Sequence, residues 1–276
     1  MAEPWMNCAL RMTLIYEILL GCWEVRYFWS MNWNTPFLVV GLLTIGATTT
    51  QAQEIVTDRP DQTESAAIVP LGMLQYEGGL LVEWSDFMQS ERDWLIPNTL
   101  LRLPVSESVE LRLVHNRSAK HLQWEDRWEP TLTDIEVGVK WNLLDGSQSG
   151  TMLAVLSHWA LPTSANQPEL TSSHKLCLSH DVGPDWALGY NVGALWSRGL
   201  DGFMYTFAIG RSLGKGWSIY VEPYGEWTEA DGHLASFDAG LTWLASDRVQ
   251  WDWSFAKGLN HEYGYQALGV SWLIGD

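Results

Sequence analysis

Cysteine is scarce in this chain of 276 residues, which contains only three. Two of them, Cys8 and Cys22, lie within the first 30 residues, in a stretch interpreted below as a leader. Once that leader is removed only Cys177 remains, and one cysteine cannot form a disulfide within the chain. The sequence therefore excludes a fold held by an internal disulfide framework, and the protein must be stabilised in another way.

Long apolar runs and positive charge are also in short supply. After residue 52 the chain has no run of about 18 apolar residues, which argues against a membrane-spanning helix in that region. Its 16 Lys and Arg residues are outnumbered by 33 Asp and Glu residues, giving a net charge of -17. Acidic proteins repel nucleic-acid phosphates and anionic lipid headgroups, so neither is expected as a main partner.

Common catalytic and metal-binding motifs are missing too. The chain has no GxSxG, CxxC or HExxH, and its seven His residues show no metal-ligand spacing. The segment GRSLGKG at 210–216 is one residue short of a P-loop and is predicted to be a hairpin turn. Ser157 and His158 are adjacent, so in a strand they point to opposite faces and cannot pair as nucleophile and base. We therefore predict no enzyme activity, no cofactor and no metal site.

The N-terminal region has the pattern of an export signal. The stretch MNWNTPFLVVGLLTIGATTTQAQE starts at Met31 and contains a short apolar core. Thr50 and Ala52 are the small residues that precede a cleavage site. We predict a leader over residues 1–52 that contains a secretory signal peptide cleaved after Ala52; an uncleaved membrane anchor is the alternative. Residues 1–30 either extend this leader or result from a start codon assigned too far upstream.

From residue 72 onward the sequence alternates with a period of two, which indicates β-strands. The segment GWSIYVEPYGEWTE at 216–229 shows the pattern clearly. One set of alternate residues is apolar, with Trp217 and Trp227 at its ends. The other set carries hydroxyl and carboxylate groups: Ser218, Tyr220, Glu222, Tyr224 and Glu226. A strand with these two faces separates an apolar environment from a polar one.

About twelve such strands follow one another along the chain. Most contain 10–14 residues, which exceeds the usual strand length of about 5–6 and suits a tilted strand that crosses a bilayer. Short connections such as 106–107 and 214–215 alternate with longer ones such as 117–131. The predicted strands are 72–85, 92–105, 108–116, 132–144, 151–162, 173–183, 186–197, 202–212, 216–228, 234–245, 248–258 and 262–274.

Strand length and loop alternation together predict an all-β fold, a transmembrane antiparallel up-and-down β-barrel of about twelve strands in the bacterial outer membrane. The barrel occupies residues 72–276, follows a periplasmic N-terminal segment at 53–71, and is surrounded by membrane lipid. Short turns face the periplasm in such barrels, so the loop 117–131 is expected outside the cell. An exported β-sandwich with an apolar interior is the alternative, because period-two alternation also occurs there.

The free-energy cost of exposing a carboxylate to lipid decides which face of each strand points into the lumen. A carboxylate facing hydrocarbon costs a couple of kcal/mol. The four carboxylates of Glu222, Glu226, Asp238 and Asp252 would together cost roughly 5–10 kcal/mol, comparable to the whole stability of a protein. The acidic faces must therefore point into the lumen. The residues predicted to line it are Glu77, Arg102, Arg112, Glu136, Lys140, Glu222, Glu226, Asp238 and Asp252, with Glu83, Glu110, Lys175 and Asp181 on the same faces.

The segment TDRPDQTESAAIVPLGMLQYEGG at 57–79 resembles the family of outer-membrane transporters named for the meta-pathway of phenol degradation. That family begins with Thr-Asp-Arg-Pro-Asp, continues with Val-Pro-x-Gly, and carries Gln-x-Glu-x-Gly in its first strand. The residues that match are Thr57, Asp58, Arg59, Pro60, Asp61, Gln62, Glu64, Val69, Pro70, Gly72, Gln75, Glu77 and Gly78. The closing strands are similar through Glu222, Gly225, Asp238, Gly240, Gln250, Asp252, Gly258 and Asn260.

The resemblance implies an outer-membrane barrel that takes up small molecules, aromatic ones among them. Asp58, Arg59 and Asp61 precede the first strand, so we expect them to fold into the lumen as a small plug that pairs with inward charges such as Arg102 or Glu222. A frayed terminus is the alternative.

The predicted function is a channel that passes small-molecule solutes. Acidic side chains outnumber basic ones in the predicted lumen, which disfavours anions. Two alternatives remain. One is a closed structural or binding barrel that acts through its surface loops, above all SAKHLQWEDRWEPT with Trp124 and Trp128; the other is a lipid-modifying enzyme, which needs a His beside a nucleophile on one face.

Overall fold

The computed structural model describes residues 55–85, 91–122, 126–147, 150–163 and 169–275. The predicted leader at 1–52 and Trp124 lie outside these residues. In the described part, no helix reaches the length and apolar character needed to cross a membrane. The strands are β1 (Leu74–Trp84), β2 (Glu91–Pro104), β3 (Val109–Leu122), β4 (Arg127–Leu132), β5 (Ile135–Asp145), β6 (Thr151–Leu161), β7 (Thr171–Val182), β8 (Trp186–Trp196), β9 (Leu200–Gly214), β10 (Trp217–Thr228), β11 (Gly232–Ser246), β12 (Val249–Gly258) and β13 (Gly264–Ile274).

The strands form one closed antiparallel sheet. Except for β4 and β5, which do not pair with each other, each strand pairs with its neighbours in the chain, and β1 closes the ring by pairing with β13 along its whole length. Both β4 and β5 pair with β3, so these two strands share one position in the wall. The barrel therefore has twelve positions, which confirms the predicted fold class.

The loop predicted at 117–131 is wrong over most of its length. β3 continues to Leu122, where it pairs with Glu91–Leu95 of β2 on one side and with β4 on the other. Hydrogen bonds to both neighbours hold this polar stretch in a strand, although its composition favours a loop. The predicted strand 108–116 is therefore too short at its C-terminal end, and the predicted strand 132–144 omits nearly all of β4.

The connections distinguish the two rims of the barrel. Those of two to five residues, such as 215–216 and 247–248, lie at the rim that holds the start of β1 and the end of β13. Those of three to nine residues, such as 162–170, lie at the opposite rim. Short turns face the periplasm in outer-membrane barrels, so we refer to the periplasmic and the extracellular rim below.

The two faces of the wall follow the predicted alternation. On β10, Trp217, Val221 and Trp227 are exposed on the outer face, whereas Glu222 is completely buried on the inner face. Because the outer face meets lipid, its exposed apolar side chains need no further covering. Trp residues stand near both ends of the strands and form the aromatic girdles typical of such barrels.

Candidate functional site

The chain before β1 folds back into the barrel. We call residues 55–72 the inner segment. The Ile55 amide donates a hydrogen bond of 2.9 Å to the carbonyl of Asp247, in a periplasmic turn. Near the other end of the segment, Val69 packs with Ile55 and with Leu273 of β13. Both ends of the inner segment thus lie at the periplasmic rim.

The middle of the inner segment reaches halfway up the wall. Thr63 Oγ1 donates to Glu222 Oε1 at 2.6 Å and lies 2.6 Å from Thr206 Oγ1. The Glu64 amide donates to Asn191 Oδ1 at 2.8 Å. Thr206, Glu222 and Asn191 stand near the centres of β9, β10 and β8. The inner segment therefore enters from the periplasm, turns at mid-membrane depth and returns.

Asp58 fixes one side of the inner segment to three cations. Its Oδ2 lies 2.8 Å from Arg112 Nη1, 2.8 Å from Lys140 Nζ and 3.5 Å from Arg102 Nη1. The Ser65 amide donates to the other carboxylate oxygen at 2.8 Å. Burial raises the pKa of Asp58, but the three cations outweigh this and hold it well below its ordinary value. Asp58 is thus an ionised anchor.

Further ion pairs complete this side, which we call the anchor cluster. It consists of Asp58, Glu64, Glu77, Glu110, Arg102, Arg112 and Lys140. Arg102 lies 2.9 Å from both Glu77 and Glu110, and Arg112 lies 2.9 Å from Glu64. Arg102 also donates to the carbonyls of Val56 and Ala67 in the inner segment. Paired carboxylates and backbone acceptors make these buried charges tolerable.

Asp61 faces the opposite wall, where no described cation pairs with its carboxyl group. We call Asp61, Glu222 and Asp238 the acidic wall. Among the described residues, no Lys, Arg or His nitrogen lies within 4.0 Å of these three carboxylates. Burial, and then the carboxylates of Glu222 and Asp238, raise the pKa of Asp61 well above its ordinary value. The inner segment therefore lies between a neutralised wall and an acidic one.

Hydroxyl groups surround the acidic wall. Tyr265 donates to Asp238 Oδ2 at 2.6 Å, and the Gln62 amide donates to Glu222 Oε2 at 2.7 Å. Tyr220 is buried to all but 8% and pairs in register with Gly240 beside Asp238. An added side-chain carbon at Gly240 would lie 2.4 Å from the Tyr220 ring, so the glycine provides the space for this phenol.

Arg59 connects the inner segment to a third place in the wall. Its Nη2 lies 3.2 Å from Asp252 Oδ1, and its Nη1 donates to Asn98 Oδ1 at 3.1 Å. A side-chain carbon at Gly269 would lie 2.5 Å from Arg59 Nη2. Glycine at this position of β13 thus leaves room for the guanidinium group.

A cavity of about 260 Å³ remains between the inner segment and strands β10 to β12. Its lining includes Thr57, Arg59 and Asp61 of the inner segment and Tyr220 and Gln250 of the wall. This cavity therefore lies on the side of the inner segment that carries Asp61, the member of the acidic wall that lines it.

The structure places seven of the nine predicted lumen residues in buried positions inside the barrel: Glu77, Arg102, Arg112, Lys140, Glu222, Asp238 and Asp252. Glu136 and Glu226 have the same inward direction but stand nearer the extracellular rim and are partly exposed. Of the proposed plug residues, Asp58 lies 3.5 Å from Arg102 and Arg59 lies 3.2 Å from Asp252, whereas Asp61 faces the carboxyl groups of Glu222 and Asp238.

Several residues that hold the inner segment were absent from the predicted site. Thr63, Asn191 and Tyr265 form direct hydrogen bonds across the lumen or to its acids. The only signal for the wall residues was their inward parity, which marked Asn191 and Tyr220 as polar or aromatic side chains on the lumen face. No signal identified Gln62 and Thr63 as partners of Glu222.

Comparison with known proteins agrees with this architecture. Residues 57–274 match the family described as "Putative MetA-pathway of phenol degradation". No curated protein sequence matches the chain significantly.

Similar folds occur among solved outer-membrane channels. An outer-membrane channel from Pseudomonas putida F1 is 12% identical and aligns with 79% of this chain and all (100%) of its own, with a TM-score of 0.56. The KdgM porin, solved in complex with disordered oligogalacturonate, is 11% identical over 72% of this chain and 98% of its own, with a TM-score of 0.50. The NanC porin is 10% identical over the same shares, with a TM-score of 0.51. The protein thus has the β-barrel fold of outer-membrane channels and porins.

Proposed function

The chain belongs to the family named for the MetA-pathway of phenol degradation, and on this basis we propose that it is a channel for small solutes, aromatic ones included. The inner segment constricts the periplasmic half of the lumen, and solutes pass it on the side of the acidic wall. One observation carries the proposal: the cavity beside the inner segment lies against β10 to β12 and not against the anchor cluster.

The chemistry of that side favours cations and aromatic rings over anions. Asp61 lines the cavity, and its carboxyl group interacts electrostatically with the buried carboxyl groups of Glu222 and Asp238. Once ionised, these groups repel anions and attract cations. Tyr220, Tyr263 and Tyr265 add phenol rings that offer both an apolar face and a hydroxyl group. Tyr263 and Tyr265 pack edge to face with centroids 6.4 Å apart, above the inner segment.

The same chemistry separates this channel from a carrier of polyanions. The KdgM porin was solved with an oligogalacturonate, which carries a carboxylate on each sugar. In the cavity such a ligand would contact Asp61, with the carboxyl groups of Glu222 and Asp238 buried nearby. We therefore expect the passage to exclude acidic oligosaccharides.

Planar-bilayer recordings test this function with two ions of similar size and opposite charge, benzylammonium and benzoate. Reversal potentials measured in benzylammonium chloride and in sodium benzoate give the relative permeability of each aromatic ion. We expect measurable benzylammonium permeation and little benzoate permeation. A correctly folded barrel that passes benzoate at least as well as benzylammonium would refute the proposed passage.

The plug role of the inner segment has its own test, the deletion of residues 53–66. We expect the conductance to rise several-fold, because the periplasmic half of the lumen would open, and the thermal stability to fall, because Arg102, Arg112 and Lys140 would lose Asp58. Unchanged conductance together with unchanged stability would rule out a plug.

A closed barrel that binds a partner through its extracellular surface is the second candidate. It is favoured by Trp128 of β4, which is 37% exposed and packs on His121 with ring centroids 4.6 Å apart. A folded barrel that carries no current under any of the conditions above would favour this role over a channel.

A further inference from the structure

Three polar side chains lie together on the lipid-facing surface of the barrel, far from the lumen. They are Ser157 of β6 and Ser172 and His174 of β7. His174 pairs in register with Ser157 across the two strands. Their neighbours on the same face are apolar and exposed: Val155 and Leu176, each two residues away along its strand. The proposed channel uses none of these three groups.

The hydrogen bonds form a chain through the imidazole ring. Ser172 Oγ lies 3.2 Å from His174 Nε2, and His174 Nδ1 lies 2.9 Å from Ser157 Oγ. With the ring proton on Nδ1, His174 donates to Ser157 and accepts from Ser172. This order places a base within hydrogen-bonding distance of a hydroxyl nucleophile on one side and of a group that orients the base on the other.

His174 differs from the other histidines on the outer face. His180 bonds to Tyr190 and His233 bonds to Tyr205, each at 3.0 Å and through one ring nitrogen. Those pairs fit an aromatic girdle at the membrane interface. Only in His174, among the described outward-facing histidines, does a serine hydroxyl bond to each ring nitrogen. Trp159 packs edge-on against the ring at 5.9 Å and helps to fix its plane.

The depth of the three residues matches that of lipid ester groups. Ser172 is the second residue of β7, directly below the extracellular connection 162–170. Its register partner on β8 is Trp196, an exposed residue of the extracellular girdle. Trp side chains in such girdles lie at headgroup level, where the acyl esters of outer-leaflet lipids and water are both within reach.

We propose that Ser172, His174 and Ser157 form a serine hydrolase site on the outer wall that cleaves fatty-acyl esters of outer-leaflet lipids. Ser172 Oγ would attack the ester carbonyl while His174 Nε2 takes the hydroxyl proton. The tetrahedral adduct collapses, the C–O bond to the lipid alcohol breaks, and His174 returns the proton to that alcohol. Water then attacks the acyl-serine, again with His174 as base, and releases a fatty acid and free Ser172.

Ser172 and His174 are the catalytic residues of this site, and Ser157 is a positioning residue. Its neutral hydroxyl orients the imidazole but cannot stabilise the imidazolium as a carboxylate does. Slow turnover follows from this difference. Covalent capture of the nucleophile is therefore the first experiment, because it accumulates product even when turnover is slow.

The test uses the full chain refolded into phospholipid vesicles and exposed to a lipid-like alkyl fluorophosphonate, whose P–F bond breaks as the serine–phosphorus bond forms. We expect labelling at Ser172, identified by mass spectrometry of the peptide. Ser172→Ala abolishes it, and His174→Ala slows it by about 10²-fold or more. Ser157→Ala slows it by roughly tenfold, and Ser157→Thr restores the rate because a hydroxyl group is restored.

Two variants control for general disturbance of β7. Ser173→Ala changes the adjacent serine, which points into the barrel, and His180→Ala removes an outward histidine bonded to a tyrosine. Both should label at the wild-type rate. Each variant must first show the heat-modifiable migration of a folded barrel. No labelling of folded wild type, or labelling that survives Ser172→Ala, would overturn the proposal.

Fatty-acid release then distinguishes the two sources of acyl ester. Vesicles of phosphatidylethanolamine alone and vesicles with added lipopolysaccharide are incubated with the wild type and with Ser172→Ala. Release that depends on Ser172 in the first vesicles identifies a phospholipid substrate; release only in the second identifies lipopolysaccharide. Equal release by both proteins in both vesicles would contradict a hydrolase site.

Discussion

Asp58 and Asp61 are three residues apart in the inner segment, yet they meet opposite surroundings. Asp58 lies among Arg102, Arg112 and Lys140, and Asp61 faces Glu222 and Asp238. The same residue type therefore serves two purposes according to the wall it meets. On one side the carboxylate fixes the segment; on the other the carboxyl group lines the cavity of the proposed passage and ionises only as the pH rises.

The largest expected effect is on stability, from neutralising each aspartate in turn. Asp58→Asn leaves three buried cations short of a carboxylate, and losing one partner of a buried ion pair costs about 3–5 kcal/mol. Asp61→Asn removes a carboxyl group whose ionised form its neighbours repel, so the free energy of unfolding should stay equal or rise. Denaturant titration of the two refolded variants measures the contrast. An equal loss in both would contradict the division into two walls.

The pH dependence of these effects follows from the two pKa shifts. The pKa of Asp58 is lowered, so its contribution is present above the ordinary value of 3.8 and is lost as the pH falls through the lower folded value. The pKa of Asp61 is raised, so the folded state holds this proton more tightly and stability falls as the pH rises through the window above 3.8. Asp61→Asn should therefore stabilise the barrel most at high pH and not at low pH.

A change of intermediate size is expected in ion selectivity. Glu222→Gln combined with Asp238→Asn neutralises the wall beside the passage, so the cation preference from the reversal potential should weaken. Asp252→Asn is the matched comparison, because Asp252 is already neutralised by Arg59 at 3.2 Å. It should change selectivity much less. A larger change from Asp252→Asn than from the double variant would place the passage elsewhere.

The smallest expected effect concerns the fit of Arg59. In Gly269→Ala the new methyl group must displace the guanidinium, which is the flexible end of a long side chain, so a loss of about 1 kcal/mol or less is expected. Gly210→Ala is the control, since a side-chain carbon there meets nothing closer than 3.8 Å. The unfolding midpoints of the two variants should differ in this direction. Equal midpoints would mean that the Arg59 contact adds nothing to stability.

The wall could be predicted from the sequence because its pattern is local. Alternation over a dozen residues suffices to place Glu222 inside and Trp227 outside, whatever the neighbouring strands are. The hairpin of β3 and β4 was missed because it depends on pairing between strands and not on a local pattern. His121 and Lys120 are held by pairing with β2 and β4, and that pairing cannot be read from a polar stretch alone.

The contacts of the inner segment could not be predicted, since they join distant parts of the chain. Arg59 and Asp252 are separated by 193 positions, and no periodicity relates them. The outer site was missed in the same way. Ser157 was compared with its chain neighbour His158, whereas its partner is His174, which the register of β6 and β7 places opposite it.

The decisive measurement for a passage beside Asp61 is the reversal potential of wild type and Asp61→Asn, recorded across a salt gradient in planar bilayers from about pH 4 to about pH 9. We predict a cation preference in the wild type that grows as Asp61 ionises with rising pH, and a smaller, flatter preference in the variant. Identical selectivity of the two proteins at every pH would contradict a passage beside Asp61.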